Sequence, residues 1–125
     1  MMLYVYSIAE QAVTAAAPIE FTSTGLQRGK YVVQTTDTTT TINCPGLYLV
    51  SFNGTAAASD VAQLYMNGEA VPGALAEGTS LAFTALVRVS PNCCAITTNL
   101  PARLQVISES AATLSNVALT ILKVG

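Results

Sequence analysis

The chain has 125 residues, 51% of them hydrophobic and 10% charged, with a formal net charge of −2 and no histidine. That length fits one domain, expected over 1–125, with a core large enough to fold without disulfide or metal staples. Charge this sparse, against roughly 25% in an ordinary soluble domain, points to apolar area buried between subunits, and the Lys and Arg residues, scattered at 28, 30, 88, 103 and 123, form no basic patch in the sequence, which argues against nucleic acid as a partner.

The opening Met1-Met2-Leu3-Tyr4-Val5-Tyr6 lacks the basic and long apolar regions of a signal peptide, and no apolar run approaches the ~18 residues of a membrane-inserting span. A strand is expected at 2–8. Residues 8–17 (IAEQAVTAAA) are rich enough in Ala, Glu and Gln for about two helical turns before Pro18 stops them, although such a helix, without an N-cap or a wide apolar face, is marginal alone. Strands follow at 19–22, 31–36 and 38–43. The run Thr35-Thr36-Asp37-Thr38-Thr39-Thr40-Thr41 is β-branched and fits a hairpin turning at Asp37.

Cys44-Pro45-Gly46 is a turn feeding an unbroken apolar strand at 47–57, and a further strand at 60–66 leads into Asn67-Gly68, the strongest short hairpin signal in the chain. The remaining strands are expected at 69–72, 80–90, 101–109 and 115–124. Short strands at this spacing predict an all-β protein, an antiparallel β-sandwich or jelly roll.

Side chains alternate across a strand, so the faces can be sorted. Tyr48, Val50 and Phe52 point one way and Leu47 and Leu49 the other; Val117, Leu119 and Ile121 oppose Ala118, Leu122 and Val124. Strands apolar on both faces belong in the middle of an assembly. By contrast, Leu104 and Val106 alternate with Arg103 and Gln105, the pattern of an outer, solvated sheet.

Little here carries catalysis. Without histidine a Ser or Cys nucleophile lacks its usual base, and Glu10, Glu20, Asp37, Asp60, Glu69, Glu77 and Glu109 form no paired motif; no enzymatic activity and no cofactor are expected. Three cysteines leave one unpaired. Cys44, Cys93 and Cys94 read first as reduced thiols, with a bridge from Cys44 to one of the adjacent pair, or between chains, as the alternative. Their spacing is no metal set. A reactive thiolate at Cys93-Cys94 beside Arg88 is a minor reading, the sequon Asn53-Gly54-Thr55 follows a buried strand and reads as chance, and Asp37 or Asp60 alone supplies too few oxygens for calcium.

Three stretches carry a resemblance. Pro45-Gly46-Leu47-Tyr48 resembles the Pro-Gly-x-Tyr entry to a central strand of the C1q/TNF-like superfamily; Leu64-Tyr65-Met66-Asn67-Gly68-Glu69-Ala70-Val71-Pro72-Gly73 is similar to its Asn-Gly hairpin; and 112–121 is similar to its final inner-sheet strand, without the Phe and Gly often found there. The resemblance implies a ten-stranded jelly roll assembled as a homotrimer, of the compact type that heads fibres on bacterial spores and virions, although no collagen-like Gly repeat accompanies it. It implies a structural, adhesive or receptor-binding role with a surface receptor or glycan as partner, and a virion or bacterial or spore surface as location. The two-faced strands put the trimer interface at Tyr48, Val50 and Phe52 with Ala118 and Leu122. The alternative is a lectin-like sandwich, monomeric or dimeric, that stacks a carbohydrate on Tyr31, Tyr65 or Phe83.

Overall fold

The computed structural model describes residues 1–89 and 101–125, so Cys93 and Cys94 lie outside the described residues. Ten strands follow one another: β1 (Met2–Ser7), β2 (Gln11–Val13), β3 (Ala17–Pro18), β4 (Ser23–Arg28), β5 (Val32–Thr36), β6 (Thr39–Ile42), β7 (Gly46–Met66), β8 (Glu69–Val89), β9 (Ala102–Ser108) and β10 (Ala112–Lys123). All pairings among them are antiparallel. The expected all-β jelly roll is the observed architecture.

Two layers emerge from the register. The front layer runs β4, β1, β10, the first half of β7 and the second half of β8. The back layer runs from the first half of β8 through the second half of β7, β9 and β6 to β5. Four strands expected between 47 and 90 are therefore two, each of 21 residues, because β7 and β8 pair in the front layer as far as Thr55 and Ser80 and pair again in the back layer from Asp60 and Gly78. The register shifts between Thr55 and Asp60, where the pair bends, and again between Gln63 and Tyr65. Asn67 and Gly68 turn the hairpin with φ of 53° and 82°, the doubly positive geometry that an Asn-Gly turn supplies, and Thr36 pairs with Thr39 across the turn at Asp37.

Residues 8–17 form no helix. Gln11–Val13 pairs with Ala112, Thr113 and Leu114, and Ala17–Pro18 pairs with β9; the amide of Gln11 both donates to and accepts from the Glu20 backbone at 2.9 Å. Sheet edges thus satisfy a backbone whose isolated helix is too short to persist. Residues 19–22 lie between strands, yet Ile19 and Phe21 are buried and their N–H groups reach Val106 and Asp37 carbonyls at 2.8 and 2.7 Å. The polar sequence Ser23–Arg28 is an unexpected edge strand on β1.

The core lies between the layers, with Phe52 stacked on Phe83 at 5.4 Å and meeting Phe21 edge-on at 6.2 Å. At the bend, buried Asp60 accepts a hydrogen bond from the Ser108 hydroxyl and another from the Ser110 N–H at 3.2 Å, which ties β7 to the end of β9. No buried side-chain polar atom among the described residues lacks a partner.

Candidate interaction face

Register decides which face of β7 looks outward. Phe52 pairs with Leu119 and Phe83, and Val50 with Ile121 and Ala85, so Tyr48, Val50 and Phe52 share the inner face with Val117, Leu119 and Ile121. All six are buried within one protomer. This corrects the expectation that Tyr48, Val50 and Phe52 form a subunit contact: a residue with no surface left has none to offer a partner. Ala118 and Leu122, the other two expected contact residues, sit half-buried on the opposite, outward face, opposite Asn53 and Leu49.

That outward face is built of cross-strand rows. One row is Met2, Leu122, Leu49 and Leu86; the next is Tyr4, Thr120, Ser51 and Thr84; a third is Tyr6, Ala118, Asn53 and Ala82. Leu26 extends the second row from β4, and Leu47 lies one pleat beyond the first. Charge enters only at the margin, where Arg28 on β4 pairs with Met2 at the end of the first row and Arg88 pairs with Leu47. Leu86 is 63% exposed, Leu26 and Leu47 42% each, and Tyr4 38%, so among the described residues half of the large exposed hydrophobic side chains crowd onto one face of one sheet. Tyr4 and Tyr6 stack with ring centroids 5.6 Å apart and lie over Gly25, where a Cβ would come within 2.6 Å of the Tyr4 ring. Glycine there lets two aromatic rings lie flat on an edge strand.

Tyr48 itself anchors the turn that starts β7. Its hydroxyl donates to the Cys44 carbonyl at 2.6 Å, and burial, with Cys44 adding to it, pushes its pKa up to about 12. Cys44 is half-buried, with its thiol at 3.6 Å from the Pro45 carbonyl.

The other expected site residues are not brought together. Phe83 is in the core, Tyr65 is half-buried on the outside of the back layer and Tyr31 is exposed in the β4–β5 turn, so the three form no stacking platform. Asp60 spends its oxygens on Ser108 and Ser110, Asp37 is exposed at a separate hairpin turn, and no group of three or more Cys, Asp and Glu capable of holding a metal occurs among the described residues. Asn53 is exposed in mid-strand on the outward face. No helix of the described residues is long and apolar enough to cross a membrane. Tyr4, Tyr6, Leu26 and Leu86 were missed by the sequence reading, although the alternation of Tyr4 and Tyr6 with Leu3 and Val5 carries the same two-faced signal as β7.

The architecture can be placed among solved structures. No protein-family model matches the chain, and no curated protein matches it in sequence. The globular domain of the zebrafish complement 1qA protein is similar with a TM-score of 0.73 at 10% identity, covering 99% of this chain and 97% of that one. Eiger TNF from S. frugiperda is similar with 0.78 at 11% identity, covering 100% and 92%, and murine APRIL with 0.71 at 13% identity, covering 98% of each. At such identities the likeness is one of fold: this chain has the jelly roll of C1q and TNF heads.

Proposed function

We propose that the chain is a single non-enzymatic interaction module, over 1–125, that assembles as a homotrimer through the outward face of its front layer and serves as a head on a phage particle or a bacterial or spore surface, in adhesion or receptor binding. The observation that carries the assembly is the largely apolar, partly aromatic face just described, with charge only at its margin in Arg28 and Arg88. Exposed apolar surface contiguous over five strands is costly on a monomer, and a closed rotational assembly covers the same patch on every copy. The resemblance of the Pro45-Gly46-Leu47-Tyr48 turn and the Asn67-Gly68 hairpin to the C1q/TNF-like superfamily supports three as the number of copies and binding, not catalysis, as the activity.

Leu86→Glu places a charge at the centre of the proposed contact, whereas Gln105→Glu places one on the back layer. Sedimentation should find Leu86→Glu monomeric and folded and Gln105→Glu assembled like the wild type; equal behaviour of the two variants would remove the face from the account. Display is tested separately, with antibody against the chain on intact virions and spores. Labelling of either supports a surface head, and labelling only after disruption contradicts it.

A further inference from the structure

The cations scattered along the sequence are gathered by the fold, which corrects their reading as a chain without a basic patch. Call the end of the sandwich where β7 begins the Gly46 end, and the end where the β7–β8 pair bends the Asp60 end. Arg28 pairs with Met2, Arg88 with Leu47 at the start of β7, and Lys123 with Tyr48. Arg103 pairs with Thr41 beside Ile42, four residues before β7 begins, and Lys30 lies in the turn after Arg28. All five Lys and Arg residues are at the Gly46 end.

The carboxylates go the other way. Glu77 pairs with Val61, the Glu109 N–H donates to the Val61 carbonyl at 2.8 Å, and Asp37 is in the turn whose carbonyl receives the Phe21 N–H. Glu10 precedes Gln11 in the strand that joins the Asp60 end of β10, and the Glu20 backbone is hydrogen-bonded to Gln11. With Asp60 itself, six carboxylates occupy that end; only Glu69, next to the Asn67-Gly68 turn, is with the cations. Residues 90–100 contain no charged residue, so the count covers every charged side chain. Glu10, Glu20, Asp37, Glu77 and Glu109 are exposed, as are Arg28, Lys30, Arg88 and Arg103.

The two ends are about 30 Å apart, from nine strand steps between Gly46 and Thr55 at ~3.3 Å each. That exceeds the Debye length of ~8 Å at physiological ionic strength, so each end presents its own local field. We propose that the ends dock on one another, the cationic end of one copy against the anionic end of the next. A partner at one end alone would leave the opposite charge unexplained, whereas a second copy complements both. The contact is heterologous and does not close, so it stacks copies along the strand direction. It meets the front face only at the margin where Arg28 and Arg88 pair with Met2 and Leu47, and it stands whether or not lateral assembly occurs.

Salt separates the two contacts. At about 0.01 M salt, where the Debye length reaches ~30 Å, sedimentation of the full chain should show species larger than the lateral oligomer, and at about 1 M, where it is ~3 Å, these should disappear. The lateral oligomer, held by apolar contact, should persist at both; its absence at high salt counts against the lateral assembly alone. Glu10→Lys, Glu77→Lys and Glu109→Lys combined should abolish the larger species, as should Arg28→Glu with Lys30→Glu, and mixing the two variants should restore one junction, between the unaltered cationic end of the first and the unaltered anionic end of the second. Failure of the wild type to grow at low salt, or growth that survives both sets of substitutions, overturns the proposal. So does a wild type that stays unstacked but is retained on immobilised dextran sulfate through Arg28 and Lys30, since the cationic end would then serve a polyanion.

Discussion

The two layers of this sandwich have the same inner chemistry and opposite outer surfaces. On the back layer the outward side chains satisfy one another: Gln105 donates to the Thr39 hydroxyl at 3.0 Å, Gln63 to the Val71 carbonyl at 3.0 Å, and Thr35 and Thr41 share a hydrogen bond at 3.1 Å. On the front layer one outward row is Met2, Leu122, Leu49 and Leu86, and Tyr4 and Tyr6 head two further rows that continue through Thr120, Ser51 and Thr84 and through Ala118, Asn53 and Ala82. A surface of mutually bonded Gln and Thr is finished in water. A surface with exposed Leu and Tyr is covered at a gain in free energy, and the proposed contact rests on that difference.

The comparison is broken hardest at β7, which carries both chemistries on one strand. Phe52→Ala empties the aromatic stack between the layers and should cost about 3–5 kcal/mol, seen as a large fall in the denaturation midpoint, whereas Leu49→Ala, on the outer face three residues away, should chiefly weaken association. Comparable loss of fold from both would mean that the front layer has no free side. Next in size is Asp60→Ala, which removes the acceptor of the Ser110 N–H and leaves the Ser108 hydroxyl with the Ser110 carbonyl at 2.7 Å alone, and should cost about 2 kcal/mol in chemical denaturation. A cost near zero would show that the bend is held by its backbone pairing alone.

Tyr48→Phe removes the hydrogen bond to the Cys44 carbonyl and should cost about 1 kcal/mol at neutral pH. Its pH signature is more specific. Because the folded pKa is raised from 10.0 to about 12, the neutral phenol is favoured by folding: its contribution is complete below pH 10 and declines as pH rises towards 12. The wild type should lose stability across that window more steeply than the Tyr48→Phe variant, and parallel pH profiles would place Tyr48 in water. The smallest effect on the fold belongs to Gly25→Ala. The new Cβ meets the Tyr4 ring, so the Tyr4–Tyr6 pair must shift, and association should weaken severalfold with the protomer melting temperature nearly unchanged; unaltered association would remove the pair from the contact.

What the sequence disclosed was local. Asn67-Gly68, the turn at Asp37 and the Pro45-Gly46 entry depend on a few neighbouring residues, and each forms where those residues specify. The back layer was legible too, because Leu104 and Val106 alternate with Arg103 and Gln105 and so mark one wet face. The front layer hid its orientation for the opposite reason. When Tyr48, Val50 and Phe52 oppose Leu47 and Leu49, both faces are apolar, and only the pairing of Phe52 with Leu119 and Phe83 reveals which side is the core. The bend at Asp60 and the edge strand Ser23–Arg28 are set by what they pair with, not by their own composition, and the gathering of Arg28, Arg88 and Lys123 at one end follows from strand directions that no local pattern contains.

The central claim, that the front face is covered by copies of the chain, is tested most directly by the mass of the native protein in solution. Multi-angle light scattering at micromolar concentration and moderate salt should return about three times the 12.9 kDa of one chain, the closed assembly expected of a self-covering face. A single species of 12.9 kDa under those conditions would contradict it.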